Sequence, residues 1–182
     1  MTMAKLSELA PFILSWEGGY CKVPGDRGGA TNRGVTIAIW RAHGYDKDGD
    51  GDIDEDDVRL ISVEDAVERV MRPFFWNPWQ ADAILCQPLA NICVDWGWAS
   101  GVKNSIRRVQ RILGVTVDGV VGPNTLAAIN HHRSPGLLFE EIKAARLRYV
   151  EDICKANPSQ QKFLKGWKRR INAISFNELR SR

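Results

Sequence analysis

Glu17 is the acid most plainly placed to do chemistry. It follows an apolar 3.6-residue pattern, Leu6, Leu9, Phe12, Ile13 and Trp16, and precedes Gly18-Gly19, which ends that helix. A carboxyl at a helix C-terminus meets the negative end of the macrodipole, which disfavours its charge. Neighbouring Trp16 and Tyr20 add desolvation. Both effects favour the protonated form, so the expected chemistry is proton donation by a general acid. Across a Gly-rich stretch lie Asp26, Thr31 and Thr36, the further polar candidates.

Residues 46–57, DKDGDGDIDEDD, hold a second chemistry. The run fits a twelve-residue EF-hand loop. Asp46, Asp48 and Asp50 fall at ligand positions one, three and five, and Gly51 at six permits the sharp turn. Asp52 at seven offers its carbonyl, Ile53 at eight the apolar anchor, Asp54 at nine a ligand through water, and Asp57 closes the loop at twelve. Asp57 is shorter than the usual Glu, which reduces bidentate reach, although dockerin-type loops also carry Asp there. So many carboxylates repel one another without a cation. The expectation is one Ca2+ ion, structural rather than regulatory because one such loop is present. The alternative is a solvated acidic loop.

The elements that must position these groups are mostly helices. Beyond the first, the pattern predicts a loop or short hairpin over 20–34 and a short helix from Thr36 to His43, stopped by Gly44. Ser62 with Asp65 makes a capping-box start for a helix to about Phe75, which Pro73 should kink or end. Leu89 to Ser100 is apolar enough for a central buried helix, closed by Gly101. Helices follow over Val102–Leu113, Pro123–Asn130 and from Pro135 to about Lys155, with a last basic one from Ser159 to about Glu178. The fold class is all-α, about eight helices with at most a small β-hairpin. Two lobes are expected, a catalytic one over 1–90 and a helical one over 91–182.

Residues 16–36, WEGGYCKVPGDRGGATNRGVT, resemble the signature of glycoside hydrolase family 108. The matching pieces are Glu17-Gly18-Gly19-Tyr20, Asp26-Arg27-Gly28-Gly29-Ala30-Thr31-Asn32 and Gly34-Val35-Thr36. Asp95 to Gly101 resembles the family's central helix, with Ala99 where Asn is expected. Gln110 to Leu113, Val117-Asp118-Gly119 and Gly122 to Leu126 resemble its peptidoglycan-binding C-terminal segment; Phe163 to Trp167 with Arg169 and Arg170 resembles its last helix. The resemblance implies a lysozyme-like fold and an N-acetylmuramidase of the phage or prophage endolysin type. It would cut the β-1,4 bond between N-acetylmuramic acid and N-acetylglucosamine in peptidoglycan. It implies Glu17 as the acid, Asp26 as the group that activates water or stabilises an oxocarbenium-like transition state, and Thr31 or Thr36 as the residue that orients that water. Tyr20, Gly28, Gly29 and Asn32 would meet substrate, the glycines by letting backbone approach a sugar. A lytic transglycosylase and a non-catalytic wall-binding or secretion-assisting protein are the alternatives.

Outside the acidic loop the chain is strongly basic, which suits an anionic polymer. Cell wall is the expected partner rather than nucleic acid. Of seven tryptophans, one or two should reach the cleft, and at most one of Trp96 and Trp98, which lie on opposite sides of the central helix. Cys21, Cys86, Cys93 and Cys154 lack metal or disulfide spacing and read as free thiols. No apolar run approaches a membrane span, and MTMAKLSE at the start does not read as a signal sequence. The expectation is a monomer made in the cytoplasm and released to the wall through a holin.

Overall fold

The computed structural model describes residues 3–22 and 29–182, so Asp26 and Gly28 lie outside the described residues. Helix α1 (Leu6–Trp16) buries Leu6, Leu9, Phe12 and Ile13, the predicted stripe. A two-residue hairpin turn follows, joining β1 (Thr31–Asn32) to β2 (Val35–Thr36) with Thr31 opposite Thr36. Its central residues Arg33 and Gly34 both have positive φ, 52° and 78°, as a type I′ turn requires. Then come α2 (Ile37–His43) and α3 (Glu55–Leu60).

Residues Asp65–Trp76 wind as a π-helix. Its start is the predicted capping box: the Ser62 N–H donates to Asp65 Oδ2 at 2.9 Å, and the Asp65 N–H donates to Ser62 Oγ at 3.1 Å. Pro73 does not end it: the helix runs on to Trp76. Proline has no N–H to give, and its ring clashes with the carbonyl four residues back in an α-turn. The wider π-turn relieves that clash.

Helix α4 (Gln87–Ser100) is the central one, buried from Leu89 to Gly97. On it pack α5 (Val102–Leu113) and α7 (Pro135–Ala156); α6 (Pro123–Asn130) packs on α5, and α8 (Gln161–Asn172) on α7. The last helix ends at Asn172, not near Glu178. After it the chain turns back, bridging Ile174 to Leu179 and hanging on α1 through the Arg182 N–H to Ser15 Oγ, 3.1 Å.

Apolar burial forms two cores. The larger joins α1 to α4, α5 and α7; the smaller holds Ala30, Val35, Ile37, Trp40, Val58, Ile61, Ala66 and Val70. Helix α1 thus shares its core with the later helices. Leu14, Phe75 and Trp98 pack on both. All four cysteines are free thiols, and burial pushes the Cys93 thiol far up, which keeps it inert. Among the described residues no helix is long and apolar enough to cross a membrane.

Candidate active site

The seam between the cores opens as a cleft of about 480 Å³ with Glu17 in its wall. Glu17 caps α1 in extended conformation, its N–H donating to the Ile13 and Leu14 carbonyls. Its side chain is then held from two other elements. Trp98 Nε1 of α4 donates to Glu17 Oε1 at 2.8 Å, and Arg170 Nη1 of α8 donates to the same oxygen at 2.8 Å. Trp98 in turn meets Phe75 of the π-helix, ring centroids 4.6 Å apart.

Behind this pair lies a buried charge relay. Asp95 sits one helical turn before Trp98 on the same face of α4. Its Oδ1 accepts from Arg170 Nη2 at 2.7 Å and Nε at 3.2 Å; its Oδ2 accepts from Arg146 Nη2 of α7 at 2.6 Å. Asp95 is fully buried and Arg146 nearly so. Burial alone would push the Asp95 carboxyl up, but the charges and hydrogen bonds of Arg146 and Arg170 hold it below the usual carboxylate range. Burial pulls Arg146 down from its ordinary value, partly offset by Asp95. It opposes a charge on Arg170 too, yet Asp95 and Glu17 outweigh that and raise it. Both guanidiniums stay cationic. Arg170 thus joins Asp95 to Glu17 across the wall of the cleft.

The hairpin presses on Glu17 from the other side. Arg33 N–H donates to the Gly18 carbonyl at 3.2 Å, which ties the turn to the residue after Glu17. A Cβ on Gly34 would lie 2.6 Å from Trp98 Cζ2 and 3.0 Å from Glu17 Cγ. Only glycine fits there. Gly34→Ala is therefore expected to cost about 1–2 kcal/mol from its positive φ alone. By displacing the acid it should also lower activity by about a hundredfold. Thermal melts and cleavage assays of one preparation check both, and wild-type behaviour in either would remove Gly34 from this role.

The other described residues expected from sequence do not line the cleft. Asn32 is buried and donates to the Val58 and Arg59 carbonyls at 2.9 and 3.1 Å, so its amide ties the hairpin to α3. Thr36 Oγ1 accepts the Ile39 N–H at 3.3 Å and caps α2. Thr31 pairs with Thr36 and bridges Cys21. Gly29 has φ +64°, and a Cβ there would meet Ile37 at 2.9 Å. Tyr20 stacks under the Arg59 guanidinium at 4.3 Å. What sequence reasoning missed is Trp98, Gly34, Asp95, Arg146 and Arg170 as a set. One signal was available: Asp95 is the lone charge in an apolar central helix, and a buried charge needs partners. Of the tryptophans, Trp98 and Trp167 line the cleft while Trp96 is buried.

The acidic loop leans on the smaller core through Ile53. Carboxylate oxygens of Asp46, Asp48 and Asp50 lie within 4.8 Å of one another, and so do those of Asp52, Asp54 and Asp57. Asp50 foremost, then partial burial and the remaining loop acids, push the Asp52 carboxyl up. Asp57 is buried; burial raises its carboxyl, but backbone N–H groups of Lys47, Asp54 and Asp48 bring it below its usual value. With both oxygens accepting amides, Asp57 is the hub of the loop, and with Asp54 it forms the capping box of α3. Oxygen-rich and hard, the donor set fits Ca2+ in kind.

The chain is similar to known proteins over most of its length. The profile of a family described as Glycosyl hydrolase 108 matches residues 10–101. A second, described as a predicted peptidoglycan domain, matches residues 104–172. No curated protein matches the chain. Among solved structures, Brucella abortus SagA superposes with a TM-score of 0.73 at 28% identity, over 92% of this chain and 90% of that one.

Proposed function

The chain belongs to the glycosyl hydrolase 108 family, and from that membership and the peptidoglycan domain beside it we propose that it is a muramidase. Glycoside hydrolysis of peptidoglycan is the activity the two families support; the bond and the residues are our reading. The bond would be the β-1,4 link between N-acetylmuramic acid and N-acetylglucosamine, with Glu17 as the acid. The observation that carries this is the hold on Glu17: two donors converge on Oε1 inside an aromatic-walled cleft. With Oε1 accepting both, a protonated Glu17 must carry its proton on Oε2. That is the oxygen left to serve the leaving group. Asp26 is the second carboxylate and Thr31 the hydroxyl that act on water, while Thr36 supports them by capping α2.

Incubation with purified sacculi and mass spectrometry of the fragments tests the proposal. Reducing N-acetylmuramic acid ends that carry the oxygen of water support it. Anhydro ends would identify a lytic transglycosylase, and bound but uncut sacculi a wall-binding protein.

We also infer that residues 46–57 hold one structural Ca2+ ion, with Asp46, Asp48, Asp50, Asp52, Asp54 and Asp57 as its ligand set. A cation would relieve the repulsion that raises Asp52. The loop continues into α3, which Asn32 ties to the hairpin, so order there reaches Gly34 and Glu17. Free Ca2+ at a hundredfold its Kd should add about 2.7 kcal/mol of stability, a rise of several degrees in Tm against a chelator control. Equal melting in both would sink the site.

A further inference from the structure

Helix α8 buries only Ile171, yet it carries two aromatic side chains. Phe163, Trp167 and Arg170 share one stripe, at i, i+4 and i+7. The stripe runs from solvent inward: Phe163 is 45% exposed, Trp167 lines the cleft, and Arg170 holds Glu17. The rings of Phe163 and Trp167 are stacked, centroids 5.8 Å apart and 29° between planes. They continue the apolar wall of the cleft outward. Positions 163 and 170 are about 10 Å apart along the helix axis, the span of a disaccharide. Lys162 Nζ lies over the Phe163 ring, 5.0 Å from its centroid.

We propose that Phe163 and Trp167 form a sugar-stacking subsite that holds the peptidoglycan glycan strand beyond the bond at Glu17. Lys162 meets a carboxylate of its stem peptides. The chemistry matches on both counts. The C–H face of a pyranose is apolar and flat and lies well on an aromatic ring. Lys162 supplies a charge complement to an anionic strand. A half-exposed phenylalanine in a basic helix otherwise has no packing role, whereas here it is continuous with the cleft. The proposal rests on peptidoglycan as substrate.

Binding in a Glu17→Gln background, to intact sacculi and to glycan strands stripped of stem peptides, tests it. Phe163→Ala should weaken both by about tenfold, the effect of truncating an aromatic anchor, and Phe163→Trp should restore it. Lys162→Ala should weaken only sacculus binding, and chiefly at low salt. Thermal melts confirm that the exposed substitutions leave the fold intact. Phe163→Ala binding as tightly as its parent overturns the subsite, as does Phe163-dependent preference for single-stranded DNA. The two readings fail separately. If wild type cuts sacculi but Phe163→Ala binds unchanged, the subsite falls and the muramidase stands. If wild type cuts nothing but binding depends on Phe163, the subsite stands and the muramidase falls.

Discussion

Glu17→Gln is expected to slow sacculus cleavage by about a thousandfold, within the range a general acid contributes. The substitution is close to isosteric. Its amide oxygen can still accept from Trp98 and Arg170, so side-chain placement should survive. What is lost is the transferable proton. Arg170 keeps its bonds to Asp95, and the Glu17–Arg170 pair is partly solvated, so the loss of stability should be small. Clearing of a sacculus suspension, release of reducing ends and a melting curve together separate chemistry from folding. Undiminished cleavage by the variant would take Glu17 out of the mechanism. A thousandfold loss with an unchanged melt would leave no structural explanation for it.

Much of this site was legible in the chain, and the part that was not has a common cause. Glu17 was visible because helix end, aromatic neighbours and glycines are all local. Helix ends at Gly101 and Gly114 were visible for the same reason, and both glycines have positive φ, 86° and 68°. Trp98 and Arg170 reach Glu17 from 81 and 153 residues away, a pairing that no period or cap announces. Helix α3 was hidden because its first turn uses the acids that also read as loop ligands: Asp54 and Asp57 cap it while closing the loop. The end of α8 misled because Ile171 and Ile174 keep the helical i, i+3 spacing past its last turn. Tertiary bonds to α1 take over there, so the tail folds back instead. Asn32 shows the limit of a motif. Its place in the family signature is real, but its amide ties the hairpin to α3.

Asp95→Asn is expected to cost more stability than any other single change near the cleft. Asp95 bridges the buried Arg146 and the half-buried Arg170, at 2.6 Å and 2.7 Å. Removing one member of a buried ion pair costs about 3–5 kcal/mol. For a chain of this size that is roughly 6–20 °C in Tm. The pH dependence follows from the direction of the Asp95 shift. Its carboxyl is held below its unfolded value, so the stability it contributes is present above about pH 4 and lost as pH falls through the acid range. Wild type and Asp95→Asn should therefore differ most near neutrality and converge below about pH 4. A gap that stays constant down to acid pH would mean that lost packing, not charge, explains the defect. Asp95→Asn combined with Arg146→Gln removes one charge of each sign and should recover part of the lost stability. If the double variant melts no higher than Asp95→Asn alone, the relay is not what holds these helices together.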